Sequence, residues 1–343
     1  MKEKRSILFF NRSFKYLTGG AELSTIKLLK NFDEENYDIY YLSTSKNKKI
    51  KENILNDFPK NWKSLYYRPT YFFTRFFYIE YFLNYKSLAS FIKDKQFDEI
   101  WVYGLWAPAI AKNFTGNITY FIRSETDLGI NKNYQKGVKK LLKNFYRLLE
   151  LPFYKLHYRD LNYALGKSNI ICNSYYMKML LKKSFNYNSK VIYPDIDLEK
   201  LKSSYEKNVK NKNYIVFVGD DNRKGLNLVL EISNLLSAYR FKIYSRKVKN
   251  EIQVNNIYWH PWVKDVSLIY GDAKLVIVPS QWKEAYGRVA KEAFELGIPT
   301  LVSNTGGLPE AVDRQIRNIV INFKSAKSWV SAIKNILKDE YDD

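Results

Sequence analysis

The amino-acid sequence predicts an α/β fold of two doubly wound domains whose parallel sheets face each other across a cleft. Three observations predict it. Short apolar runs of strand length alternate with amphipathic segments of helix length from end to end. The strand-like runs are almost continuously apolar, which suits parallel strands covered on both faces. The series also starts twice, separated by the polar stretch 199–213, which is rich in Lys, Ser and Asn and reads as a linker. A length of 343 residues accommodates two ordinary domains.

In the first series, residues 6–10 read as a strand. Residues 21–32 read as a helix with Leu23, Ile26, Leu29 and Phe32 on one face. Strands follow at 38–43, 99–103, 118–122, 169–172 and 191–193. The second series opens with the apolar strand 214–218 and the helix 226–236. It continues with strands at 241–244, 257–259, 274–278, 300–303 and 318–321. This divides the chain into Rossmann-like domains over 1–195 and 196–325. A last helix within 326–343 is expected to cross back onto the first domain. Ligands of such sheets bind at the C-terminal ends of the strands.

The 56 Lys and Arg outnumber the 35 Asp and Glu, leaving a net charge of +21. That balance favours an anionic partner: nucleic acid, an acidic lipid surface or a phosphorylated substrate. A solvated lysine-rich surface is the competing reading. The single cysteine, Cys172, excludes an internal disulfide and fits a reducing compartment. It sits in the apolar run NIICNS and reads as a buried strand thiol. His157 and His260 are the only histidines, and no Cys/His cluster has metal-ligand spacing. The opening MKEKRSILFF runs directly into a strand, so no signal peptide is expected. No apolar run approaches the roughly 18 residues of a spanning helix. A cytoplasmic placement is expected, with the inner face of the membrane as an open option.

The most informative segment is VPSQWKEAYGRVAKEAFELGIPTLVSNTGGLPEAV, 278–312. Glu284 and Glu292 are read at the start of one helix, after a strand and before the closing Gly297. On a helix they would stand ~12 Å apart along the axis and ~80° apart around it, about the span of a sugar nucleotide. The helix N-terminus would offer amides and partial positive charge to phosphates. In the turn VGDDNRKGL, Arg223 and Lys224 follow a strand and Gly219, and precede a helix. They could neutralise a diphosphate or simply face water. Near the N-terminus, Gly19 and Gly20 precede a helix and would let backbone approach a ligand. No G-x-G-x-x-G follows the first strand and no G-x-x-x-x-G-K-[ST] is present, which argues against a dehydrogenase and a P-loop kinase.

Taken in order, these motifs resemble the family 4 retaining glycosyltransferases of the GT-B fold. The shared features are the two glutamates separated by seven residues, the strand–Gly…Lys-Gly turn FVGDDNRKGL, the Asp-Ile-Asp of VIYPDIDLEKL, the PS before Glu284, and GGLPE. The match is good over 191–312. In the N-terminal half it is confined to the GGAE loop and the segment IICNSYYMK. The resemblance implies that Glu292 accepts hydrogen bonds from the donor ribose and that Glu284 sits at the transferred sugar. Amides of Tyr286, Gly287 and Arg288 would meet the sugar and diphosphate. Arg223 and Lys224 would stabilise the leaving diphosphate. The implied donor is a UDP- or GDP-type nucleotide sugar, used with retention and without metal or other cofactor. The first domain would take a glycan or lipid-linked acceptor, in cell-surface polysaccharide or glycoconjugate synthesis. Two departures stand out. Asp220 occupies a position where family members often carry arginine. The region YFIRSETDLG offers Arg123 and Glu125 where many members place a histidine facing the donor sugar. These two residues are candidates, against ordinary loop polarity.

Two further stretches bear on the acceptor. Residues 62–85 carry twelve aromatics, and residues 132–183 carry twelve Lys/Arg against only Glu150 and Asp160. Together they suit an anionic membrane surface, although aromatics at helical spacing also fill cores. Single-stranded nucleic acid attracts the same residue types, but no nucleic-acid motif accompanies them and none is expected as partner. The function read from the sequence is a glycosyltransferase. The alternatives are another GT-B activity, such as a sugar synthase or phosphorylase, and a non-catalytic binder of sugar nucleotides or nucleic acid.

Overall fold

The computed structural model describes residues 4–10, 36–43, 62–70, 76–130, 137–263 and 265–338. Gly19, Gly20 and the helix expected at 21–32 lie outside the described residues. The chain forms two compact units, Met1–Asp195 and Ile196–Asp343.

The first unit contains a seven-stranded parallel sheet. Its strands are β1 (Arg5–Phe10), β2 (Tyr37–Ser43), β3 (Lys63–Tyr66), β4 (Glu99–Val102), β5 (Asn117–Ile122), β6 (Asn169–Cys172) and β7 (Lys190–Val191). Their spatial order is β3-β2-β1-β4-β5-β6-β7. The described helices are α1 (Phe77–Lys93), α2 (Ala107–Ala111), α3 (Gly137–Gly166) and α4 (Tyr175–Phe185).

The second unit repeats the plan. Its strands are β8 (Tyr214–Val218), β9 (Arg240–Ser245), β10 (Ile252–Val254), β11 (Ile257–Pro261), β12 (Ala273–Val278), β13 (Thr300–Ser303) and β14 (Ile319–Val320). The order is β10-β11-β9-β8-β12-β13-β14, parallel except for β10. With β7 and β10 set aside, both sheets follow the doubly wound order 3-2-1-4-5-6, which reverses direction next to the first strand of each unit. The helices are α5 (Leu198–Asn208), α6 (Leu226–Leu235), α7 (Ser267–Tyr270), α8 (Arg288–Glu295), α9 (Leu308–Ala311) and α10 (Ala326–Lys338).

The apolar runs follow from burial on both faces of the sheet. Ile215, Phe217, Leu275, Ile277 and Leu301 join one core with Val229, Ile232, Trp329 and Ile333. The intervening Val216, Val276, Val278 and Val302 join another with Ala290, Ala293, Leu308 and Ala311. Successive strand residues point to opposite faces, so a strand covered on both sides must be apolar throughout.

Several expectations need correction. The polar stretch 199–213 is not simply a linker, because most of it is α5. Asp197 caps this helix by accepting the Lys200 amide, and Leu201 is its one buried residue. An exposed helix needs little apolar sequence, so its composition resembles that of a loop. The last helix places Trp329, Ile333 and Leu337 in the core of the second unit, packed with α6. Two strands escaped the reading. Short β3 lies inside the aromatic stretch. Edge strand β10 is exposed along its length and turns through Asn255 and Asn256 into β11, with Asn255 at φ 53°. The two-residue Asn-Asn between apolar runs was a legible hairpin signal.

Candidate active site

The site of the second unit lies at the C-terminal ends of β8 and β12, neighbouring strands where the sheet order reverses. The loop after β8 carries Gly219 through Lys224, and the loop after β12 carries Pro279 through Gly287. Backbone contacts lock them together. The Gln281 amide donates to the Arg223 carbonyl at 2.7 Å. Gly225 adopts φ +96°, and a Cβ there would stand 2.2 Å from the Pro279 carbonyl oxygen. The third wall is the loop after β13. Gly306 adopts φ +60° with no room for a Cβ beside the Glu284 backbone, and the Gly307 amide donates to the Glu284 carbonyl at 2.7 Å. Glycine is required at both positions by left-handed backbone and by close approach. GG-x-PE therefore works here by fixing the backbone of Glu284.

That clamp brings together the two charges the sequence proposed. Lys224 Nζ stands 3.0 Å from Glu284 Oε1. Ser280 Oγ also donates to Glu284 Oε1. Gly219 keeps the floor thin, since a Cβ there would press on Phe217 and on Lys224 Cβ. Arg223 is held differently. Its guanidinium bonds Asp221 at 2.8 Å and lies 5.4 Å from the Trp282 ring centre. Partial burial pushes the Asp221 carboxyl up, but the Arg223 side chain and the amides of Arg223 and Lys224 outweigh it and hold it below its usual range. Of the two adjacent cations of this turn, Lys224 bonds Glu284 and Arg223 bonds Asp221.

Glu284 is not on a helix. The helix α8 begins at Arg288 with Gly287 as its N-cap, so the expected axial spacing of the two carboxylates does not apply. The physical reason is the clamp itself, since Gly307 and Ser280 hold residue 284 in a loop conformation that a helix could not share. The first intrahelical bond runs from the Lys291 amide to the Gly287 carbonyl. The amides of residues 288–290 therefore have no carbonyl acceptor within their own helix. Tyr286 is buried in the sheet core, and a Cβ on Gly287 would collide with Leu308. Tyr286 therefore points into the core, and Gly287 packs closely against α9.

Glu292 lies one turn into α8 and is buried. Tyr270 donates to its Oε2 at 2.9 Å, and Arg288 donates to its Oε1 at 3.1 Å. Desolvation pushes this carboxyl up from its ordinary range, and Arg288 and Tyr270 partly offset it. The Tyr270 hydroxyl is pushed well up by burial and by the adjacent carboxylate. Burying a carboxylate with two designated donors costs stability that an exposed one would not. Its raised carboxyl at the strand ends makes Glu292 a candidate site residue.

Sequence reasoning noted Ser280 only as part of the PS motif, and missed Tyr270, Trp282 and Lys247. Lys247, following β9, donates to the Asp220 carbonyl at 2.6 Å. It brings a cation to the turn where Asp220 replaces the expected arginine. Trp282 keeps its indole N–H buried with no acceptor among the described residues. Ser280 and Trp282 lie inside the motif segment and were legible by position. Tyr270 and Lys247 were not, because only the sheet order brings them near.

In the first unit, Arg123 and Glu125 follow β5. The Arg123 guanidinium packs on Tyr103 and Phe121 at 5.1 and 4.8 Å, and its backbone amide donates to Asp127 at 2.7 Å. Glu125 accepts the Tyr176 hydroxyl at 2.6 Å. Asp127 also accepts the Ser124 amide at 2.8 Å, and burial pushes its carboxyl up to about 6. Here the polar residues hold a short helical turn in place. Among the described residues no cluster of His, Cys, Asp and Glu could hold a metal ion.

Residues 199–343 match the family model described as glycosyl transferases group 1. The matched region contains every one of the site residues just described in the second unit. An uncharacterized 41.2 kDa protein in a cps region of Klebsiella pneumoniae is 31% identical over 178 residues, 47% of this chain and 49% of that protein. A D-inositol 3-phosphate glycosyltransferase of Corynebacterium aurimucosum is 35% identical over 77 residues, 22% of this chain and 18% of that protein. The chain therefore spans about half the length of the first relative and less of the second. Among solved structures, Anabaena HepE in complex with UDP and glucose superposes with TM-score 0.66 at 15% identity, covering 98% of this chain and 91% of that one. The sucrose-phosphate synthase of Thermosynechococcus elongatus superposes with TM-score 0.67 at 13% identity, covering 98% and 90%. The α/β architecture with two largely parallel sheets is that of GT-B glycosyltransferase structures.

Proposed function

We propose that this chain is a retaining, metal-independent glycosyltransferase of family 4 type, moving a sugar from a nucleotide-diphosphate donor to a glycan or lipid-linked acceptor. The observation that carries the reading is the Lys224–Glu284 pair, clamped by backbone at the strand ends where the sheet order reverses. The family match over the same residues supports it. So do the UDP and UDP-glucose present in structures of a protein with the same fold. Lys224 offers a fixed cation to a diphosphate whose charge grows as the glycosidic bond breaks, which is where electrostatic stabilisation acts on rate. Glu284 orients Lys224 and presents a carboxylate to the transferred sugar. Glu292, held by Tyr270 and Arg288, accepts the ribose hydroxyls. The amides at 286–288 meet the sugar and diphosphate. We assign the reaction to cell-surface polysaccharide or glycoconjugate synthesis, a setting supported by the cps-region relative.

The test is donor binding followed by donor turnover. A thermal-shift screen against UDP, GDP and their sugars should raise the midpoint for one nucleotide by mass action. Transfer or slow hydrolysis of that donor should then proceed at full rate in excess chelator, releasing a product with the anomeric configuration of the donor. Binding without turnover under any acceptor would favour a non-catalytic binder. Strict dependence on a divalent metal, or an inverted product, would overturn the mechanism.

A further inference from the structure

The first half of α3 carries an apolar stripe that faces solvent. Val138, Leu141, Phe145 and Leu148 are 72%, 70%, 57% and 66% exposed, and Leu142 and Leu149 are exposed beside them. At 100° per residue these six positions fall within a stripe about 120° wide. The opposite side of the helix meets the protein. Glu150 accepts the Tyr78 amide at 2.9 Å, and His157 meets the Leu105 carbonyl at 2.8 Å. The stripe therefore points away from its own unit.

Charge identifies what it fits. Farther along α3, the same outward side carries Lys155, Arg159 and Tyr163, all exposed. Lys167 lies 5.4 Å from the Tyr163 ring centre. In sequence, the apolar turns also hold Lys139, Lys140, Lys143 and Arg147. The helix has only two acids, Glu150 and Asp160, and both are buried and bonded. Its solvent face is thus apolar, cationic and free of acid. On α1, exposed Phe82 sets its ring 5.2 Å from Phe153 of α3, and Leu83 is exposed next to it.

We propose that this face of α3, extended by Phe82 and Leu83, docks on an anionic lipid bilayer surface. Leucine and phenylalanine enter the acyl boundary, lysine and arginine meet acidic headgroups, and Tyr163 sits at headgroup level. Nucleic acid would satisfy the cations but leave the leucines wet. A second copy would bury the leucines but bring like charges together on a chain of net charge +21. No helix among the described residues is long and apolar enough to cross a membrane, so docking in the interfacial plane is the mode the geometry fits.

Co-sedimentation of the full chain with vesicles tests this. Binding is expected to vesicles of equal phosphatidylcholine and phosphatidylglycerol, weak binding to pure phosphatidylcholine, and release as salt rises. A Leu141→Ser, Phe145→Ser, Leu148→Ser variant should lose at least tenfold in partition coefficient. A Lys155→Glu variant should lose binding most at low salt, while Arg159, whose guanidinium stands 3.6 Å from buried Asp160, is left unchanged. These side chains are exposed, so unchanged thermal midpoints are expected and serve as the folding control. Indifference of the wild type to anionic vesicles at low salt would overturn the proposal, as would wild-type binding by the serine variant. A dimer in light scattering that the serine variant converts to monomer, without vesicle binding by either, would make the stripe an interface between copies instead. The assay contains no sugar nucleotide, so its failure and that of the glycosyltransferase reading are separate results.

Discussion

At the C-terminal end of β8, Lys224 meets Glu284 from the next strand's loop, and each is only partly covered. At the C-terminal end of β5, Arg123, Glu125 and Asp127 stack on aromatic rings, meet a tyrosine and cap a turn. Both places are strand ends in sheets of the same order. The first unites charged groups from separate loops that glycines hold at contact distance. The second ties most of its polar groups to nearby backbone and side chains. The difference teaches that topology supplies a place for charges, while loop-to-loop clamps decide which of them are brought together across separate loops.

If that contrast is right, replacing the clamped cation should have the largest effect. Lys224→Ala is expected to lower kcat by ~10²-fold or more, the range for a lost transition-state donor. Arg223→Ala should cost less, since Asp221 and Trp282 already engage that side chain. The double variant should fall short of the product of the two if they act on one diphosphate. Steady-state kinetics within twofold of wild type for Lys224→Ala would remove the distinction between the units.

The next effect separates binding from chemistry. Glu292→Ala should raise the donor Kd by at least ~10-fold, the scale of a lost charge-assisted hydrogen bond. Tyr270→Phe should raise it by a smaller factor with kcat little changed, since it only orients Glu292. Glu125→Gln, changed in the first unit, should leave donor Kd within twofold by calorimetry. An equal loss from Glu125→Gln would place the donor site partly on the first unit.

Burial of Glu292 yields a pH signature. Its carboxyl is raised by desolvation, so it protonates above the ordinary glutamate range as pH falls. Protonation removes the ribose acceptor, and donor Kd should therefore rise on acidification through that raised value. Glu292→Gln should bind weakly and show no such dependence. A wild-type Kd flat down to the usual glutamate range would contradict the assignment.

The smallest effect belongs to the first unit. Asp127 has a folded pKa of about 6 against an ordinary 3.8. A raised folded value contributes stability that is present below the unfolded pKa and lost as pH rises through the folded one. Wild type should thus gain about 1 kcal/mol relative to Asp127→Asn between pH 7 and pH 5. Urea midpoints at the two pH values measure it, with the opposite sign as the contrary outcome.

Most of the architecture was legible in sequence because two-sided burial writes itself as continuous apolar runs, as at 214–218 and 274–278. Lys224, Glu284 and Glu292 were legible because the spacing of their motifs survives in one dimension. What stayed hidden depends on contacts between segments distant in sequence. Gly225 against Pro279 and Gly306 against Glu284 are such contacts, and they put Glu284 on a loop where helical spacing had placed it on a helix. Tyr270 reaches Glu292 across 22 positions. The two apolar stretches of the first unit make the same point. Trp62, Tyr67, Tyr78 and Tyr81, whose stretch suited either a membrane surface or a core, are buried, while Leu141, Phe145 and Leu148 are exposed. A helical stripe has the same period whether it faces a core or the outside, so sequence alone determined that these segments are amphipathic. Only the packing of α3 through Glu150 and His157 decided which way the stripe points.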